Sequence, residues 1–268
     1  MMRAPASPAG RVGQALVGLS GLLVYAFLYL PLVVLILFSF DSSTSNGWPI
    51  QGWTLSWYRQ LGLDDALITA LKNSLGVAAR AVLLAVVLGT LAALAIHRYR
   101  FPGKGVFLFV ATLPIVLPGV VTGIAMLLFF SYFNIDLSLT TVLIGHATFC
   151  IVLVLNNVLA RLVRVPKELE EAAGDLGANA LRTFWHVTLP SIRTAMLSGA
   201  LLAFTLSFDE VVVTFFLTGR DNTLPMEIWG RLRNQHGFTP ELNAIATLII
   251  AASILLVVAS QAALKEQA

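Results

Sequence analysis

The chain has 268 residues, 57% of them apolar and 12% charged, with a mean hydropathy of +0.84. No soluble domain presents so apolar a surface to water, so the composition excludes a soluble globular protein and points to a polytopic membrane protein. The net charge of +3 comes from arginines and lysines at the ends of apolar stretches and gives no reason to invoke nucleic acid.

A hydrocarbon core needs about 20 consecutive apolar residues per helix. Six stretches qualify, near 15–39, 68–96, 106–131, 139–163, 195–218 and 243–264, so the expected fold is all-α with six transmembrane helices in one domain over 1–268. The first stretch is too long for a signal-peptide core and has no small-x-small cleavage site after it, so it is expected to be retained. The loop from Asp41 to Asp65 carries Trp48, Trp53, Trp57 and Tyr58, which suit an interfacial aromatic belt or a docking surface for an external partner.

In the third stretch Pro114 and Pro118 are followed by Gly119 and Gly123. Each proline deletes a backbone hydrogen bond, so a kink or unwound turn is expected, of the kind transport pathways use. A short linker at 133–138 leads to the fourth stretch, where Cys150 reads as a small buried hydrophobe. Beyond it, 168–190 is polar, with small Ala172 and Ala173 on a short amphipathic helix, Gly177 as a conformational break, and Leu189-Pro190 at its close.

Asp209 and Glu210 fall in the fifth stretch. An acidic residue at the centre of a membrane helix costs roughly 3 kcal/mol on insertion scales, so both must face protein, water or a cation. Helical neighbours point about 100° apart, so one is expected to look into a pathway and the other toward a neighbouring helix or subunit. The structural alternative pairs them with Arg80, Lys72 or another chain. The loop 219–242, with Pro225, Trp229, Arg231, Arg233 and Pro240, is a second outer docking candidate.

With the N-terminus inside, eleven Arg and Lys residues lie on the cytoplasmic side and four in the outer loops, while Lys72 and Arg80 lie in the outer half of the second span. This bias places both termini and the segment 168–190 in the cytoplasm. His97, His146, His186 and His236 are too scattered for a metal cluster. No Gly-x-x-x-x-Gly-Lys-Ser/Thr loop is present, so ATP hydrolysis by that route needs another polypeptide.

Glu171-Ala172-Ala173, three residues, Gly177, nine residues, then Val187-Thr188-Leu189-Pro190 resembles the EAA loop of bacterial ABC-importer permeases. Over nearly its whole length the chain is similar to the second permease of spermidine/putrescine importers. The likeness runs from Tyr29-Leu30-Pro31 and Ser39–Ser43 through Trp57-Tyr58, His146–Cys150 and Glu171–Ala178, to Ala203–Glu210 and Pro240–Thr247. The resemblance implies a type I ABC-importer permease of the bacterial inner membrane, without catalytic residues or a cofactor of its own. It implies a heterodimer with a homologous permease, two ATP-binding cassette subunits that use ATP and magnesium, an extracytoplasmic solute-binding protein, and surrounding lipid. ATPase coupling falls to Glu170, Glu171, Ala172, Ala173, Gly177, Ala178, Leu189 and Pro190, and the substrate pathway to Pro118, Phe208, Asp209 and Glu210. The chain departs from such relatives at Pro118-Gly119, where they often carry an acidic residue. Another small amine, an amino acid or an opine-like solute is therefore the alternative cargo. A secondary transporter or channel is the alternative class.

Overall fold

The structure is a computed structural model and describes residues 8–44, 47–234 and 239–265. Among the described residues it is helical, with turns and an isolated antiparallel bridge between Asp41 and Trp53. Two compact units form, one from 1–64 with 231–268 and one from 65–230.

In the first unit α1 (Pro8–Phe38) packs on α12 (Pro240–Lys265), which also touches the short α2 (Ser56–Leu61). The chain leaving α1 is organised by Asp41, which is fully buried. Its carboxylate accepts hydrogen bonds from the Ser43 backbone N–H at 3.1 Å, the Ser43 hydroxyl at 2.8 Å and the Gln51 N–H at 3.3 Å, while its carbonyl accepts from Trp57 Nε1 at 2.7 Å. The Ser43 N–H is the main reason that this carboxyl titrates below its ordinary value, since each of these donors favours the charged form. Trp48 and Trp53 stay exposed, and Arg231 binds Asp64 at 2.7 Å and Glu241 at 2.8 Å.

The second unit is built on α3 (Asp65–Arg98), α6 (Leu139–Leu162) and α9 (Leu189–Phe208), each packed against the other two. Small residues let the backbones approach, as expected for helices in lipid. A Cβ on Gly89 of α3 would meet the Ile151 carbonyl of α6 at 2.8 Å, and one on Gly199 of α9 would meet Val154 Cα at 3.1 Å. Ala78, Ala81, Ala85 and Ala93 continue the buried stripe of α3, and Cys150 is fully buried on α6.

Among the described residues four helical runs are long and apolar enough to cross a membrane: Leu16–Phe38, Asp65–Arg98, Leu139–Leu162 and Ala180–Phe208. The expected third span is instead two helices, α4 (Lys104–Val116) and α5 (Gly119–Tyr132), bent by 106° at Leu117-Pro118, and counting the pair as one span gives five. Pro118 has no N–H to continue α4, which accounts for the break. The 26-residue α12 runs over the expected sixth stretch, 243–264, and its apolar run among the described residues covers Pro240–Leu255.

The expected fifth span, 195–218, needs correction. Its helix begins earlier, with α8 (Ala180–Thr183) leading through a π-helical turn, Phe184–Thr188, into α9, and it stops at Phe208. Residues 209–211 form a break before the short α10 (Val212–Leu217), which packs on α5 and α6, and α11 (Leu224–Asn234) follows. His236 lies outside the described residues.

Candidate functional site

The segment 168–190 folds as α7 (Glu168–Asp175), a turn, α8, the π-helical turn and the start of α9. Three glutamates in the first turn of α7 suit the positive end of its dipole. Gly177 ends the helix with φ +82°, a left-handed conformation that a side chain would strain. The turn is closed by Ala178 N–H to the Ala173 carbonyl at 2.9 Å and Gly177 N–H to the Gly174 carbonyl at 2.8 Å. The Asn179 side chain then accepts from the Arg182 N–H and starts α8. Pro190 sits directly after the π-helical turn, in the first turn of α9.

The adjacent glutamates Glu170 and Glu171 differ in environment. Glu170 Oε1 accepts from Arg98 Nη2 at 2.8 Å and from the Thr188 hydroxyl at 2.6 Å, and Arg98 Nη2 also reaches Thr188 Oγ1 at 3.2 Å. Partial burial works to raise the Glu170 carboxyl, but the Thr188 and Arg98 bonds and the charges of Arg98 and His97 outweigh it and hold it below the ordinary carboxylate value. Glu171 and Ala172 are exposed, while Ala173 and Ala178 are half-buried. Leu169, Leu176, Leu181 and Trp185 add apolar surface, Leu176 being 90% exposed. Arg98, 72 residues from Glu170, is the member that no local motif reveals.

The second candidate region is the pair of breaks. Asp209 and Glu210 do not lie within a helix, so the expected 100° divergence does not apply to them. Glu210 closes the break locally: its carboxylate accepts from the Val213 N–H at 2.9 Å, at the start of α10, and its carbonyl accepts from the Thr214 hydroxyl at 2.8 Å. Asp209 occupies the C-terminal end of α9, where the helix dipole is negative, and is exposed, with no hydrogen bond or ion pair to its carboxylate among the described residues. Neither Lys72 nor Arg80 pairs with these acids among the described residues, and Arg80 Nε donates instead to the Gly76 carbonyl of its own helix.

The break is fixed from α6 by His146, which is 1% exposed. Its Nδ1 lies 2.8 Å from Ser207 Oγ and its Nε2 lies 2.9 Å from Thr214 Oγ1, one partner on each side of the break. The Thr214 hydroxyl proton goes to the Glu210 carbonyl, so Thr214 accepts from Nε2–H and Nδ1 accepts from Ser207. The two breaks also adjoin: a Cβ on Gly119 would meet Val212 Cγ1 at 3.4 Å, and Gly123 lies under the Phe216 ring. Pro118 is exposed, and Phe208 is half-buried, stacked on Phe204 with centroids 5.9 Å apart.

Residues 85–266 match the family described as binding-protein-dependent transport system inner membrane component. The chain is 42% identical over 240 residues to the putrescine transport system permease protein PotI of Escherichia coli (strain K12), covering 86% of this chain and 84% of that protein. It is 36% identical over 252 residues to the spermidine/putrescine transport system permease protein PotC of the same strain, covering 93% and 94%. In fold it is similar to a chain from the crystal structure of a bacterial ABC transporter involved in the import of the acidic polysaccharide alginate. That match has a TM-score of 0.76 at 18% identity and covers 97% of this chain and 99% of the other.

Proposed function

The chain belongs to the family of binding-protein-dependent transport system inner membrane components, and from that premise we propose that it is half of the translocation pathway of an ATP-driven polyamine importer. The observation that carries this reading is Asp209, an exposed carboxylate without a partner among the described residues, held at the negative end of α9. Such a group attracts a cation. The similarity to PotI and PotC, whose names give putrescine and spermidine, supplies the matching cargo.

The complete assembly in this reading contains a homologous second permease, two ATPase subunits and an extracytoplasmic binding protein. The permease crosses the membrane six times with both termini in the cytoplasm. A loaded binding protein docks on the outer loops, and ATP draws the two ATPases together against α7 and its counterpart. The spans then tilt to admit the solute between the permease halves, where Asp209 meets an ammonium group, and hydrolysis resets the pathway. Phe208 and Pro118 border that route. ATP and magnesium belong to the partner ATPase, and this chain supplies position and charge.

Gly119 favours a second cargo reading within the same mechanism. Without a carboxylate there, a solute with one ammonium group, such as a small amine, an amino acid or an opine-like compound, needs no second acidic contact.

The test is purification from the native host in mild detergent, identification of the co-purifying chains, and reconstitution in vesicles. ATP-dependent accumulation of putrescine or spermidine with added binding protein is the expected result. Flux of either solute through vesicles holding this polypeptide alone would overturn the importer reading in favour of a secondary transporter or channel.

A further inference from the structure

Helix α7 has no buried side chain, so apolar packing does not hold it in place. It touches α8 and the π-helical turn, which belong to the same loop. Its side-chain attachment to α3 runs through Glu170, whose partners come from two other elements: Arg98 from the last turn of α3, and Thr188 from the junction of the π-helical turn with α9.

An exposed ion pair alone holds little. This one is closed by a third group, because Thr188 is 1% exposed and its hydroxyl both donates to Glu170 and accepts from Arg98. Charge-assisted bonds of this kind are short and directional. Arg98 also stands at the end of a helix locked to α6 and α9 by close backbone packing.

We infer that the adjacent glutamates of α7 have divided roles: Glu170 is a positioning residue that clasps α7 to the ends of α3 and α9, leaving Glu171 for the partner. Displacement of α7 is then delivered to α3 and α9 instead of being absorbed in the loop. The inference rests on the importer reading for what displaces α7, whereas the clasp itself is a property of this chain.

The experiment uses the reconstituted transporter with its co-purifying subunits, spermidine as the probe, and the variants Arg98→Glu, Glu170→Arg, their charge-swapped double, and Glu170→Gln, which keeps size and removes charge. Two quantities are read: amide hydrogen exchange across α7, and the ratio of spermidine imported to ATP hydrolysed. Each single reversal should speed α7 exchange by about tenfold and lower the import-to-ATP ratio by at least about threefold while hydrolysis continues. Glu170→Gln should fall between these and the wild type, and the double should recover both quantities. Unchanged exchange in the reversals would overturn the clasp. Faster exchange with an unchanged ratio, or a double no better than its parents, would overturn its role in transmission. Absence of ATP hydrolysis or uptake in the wild-type complex would instead sink the importer reading, with the exchange data still deciding the clasp.

Discussion

Two regions of this molecule each hold a pair of adjacent carboxylates, Glu170-Glu171 in α7 and Asp209-Glu210 at the end of α9, and in each pair one group is used inside the chain while its neighbour is left exposed. The difference lies in reach. Glu170 is bound by side chains from α3 and from the start of α9, so it joins elements distant in sequence. Glu210 binds the N–H three residues ahead, so it shapes only its own turn. A pair tied at long range suits transmission of movement, whereas a pair tied locally holds a fixed shape that offers a charge.

The largest effect is expected where the loop 168–190 loses its geometry. Gly177→Pro imposes a φ near −65° where the chain has +82°, and Ala173→Asp puts a charge on a half-buried position of α7. Both should leave the protein inserted and abolish coupled uptake in reconstituted vesicles while ATP hydrolysis persists. Gly177→Ala, with a strain of about 1–2 kcal/mol, should lose only part of it. Normal uptake in the proline variant would remove the mechanical role from this loop.

Next in size is the pair Asp209-Glu210, and here the variants separate charge from capping. Asp209→Asn keeps the shape and removes the charge, so uptake of a cationic solute at limiting concentration should fall roughly tenfold to a hundredfold, the range set by losing one charged contact. Glu210→Gln retains a carbonyl oxygen for the Val213 N–H and should cost no more than about threefold. Equal losses in the two variants, measured on complexes of normal assembly, would break the distinction drawn between them.

A third, smaller effect concerns how the break is held. His146→Leu leaves Ser207 and Thr214 buried without their shared partner, a loss of about 1–3 kcal/mol. It should lower the melting temperature of the detergent-purified chain more than Ser207→Ala does, and an unchanged melting temperature would free the break from α6.

The smallest effect is one of pH. The Glu170 carboxyl titrates below its ordinary 4.5 when folded, so its contribution is complete above that value and is lost as pH falls through the lower folded value. Partial exposure weakens it further. Exchange of α7 amides, corrected for intrinsic rates, should rise modestly below pH 4.5 in the wild type and be flat in Glu170→Gln. Equal slopes would assign the change to another group.

Much of this was legible in the sequence wherever the cause was local. Pro118 breaks its helix because a proline has no N–H, and Gly177 ends α7 because its φ is positive. The break at 209–211 was not legible, because Phe204-Thr205-Leu206-Ser207-Phe208 holds no proline or glycine to mark a helix end. Its partners lie far off in sequence: His146 on α6 bonds Ser207 and Thr214 on either side of it, and α10 packs on α5. The contrast between Glu170 and Glu171 was hidden for the same reason, since spacing marks both and the bonds from Arg98 and Thr188 distinguish them.

The 34 residues of α3 carry a consequence for lipid. At 1.5 Å per residue the helix is about 51 Å long, against a hydrocarbon thickness of about 30 Å. Even a 40° tilt, at the upper end of the usual range, leaves a projection of about 39 Å along the bilayer normal. The ends of α3 therefore stand in the headgroup layers or in water whatever the tilt, and Arg98 is presented at a height that hydrophobic mismatch does not set. Bilayers thicker or thinner by a few ångströms shift where the lipid meets α3 and leave its contact with α7 in place.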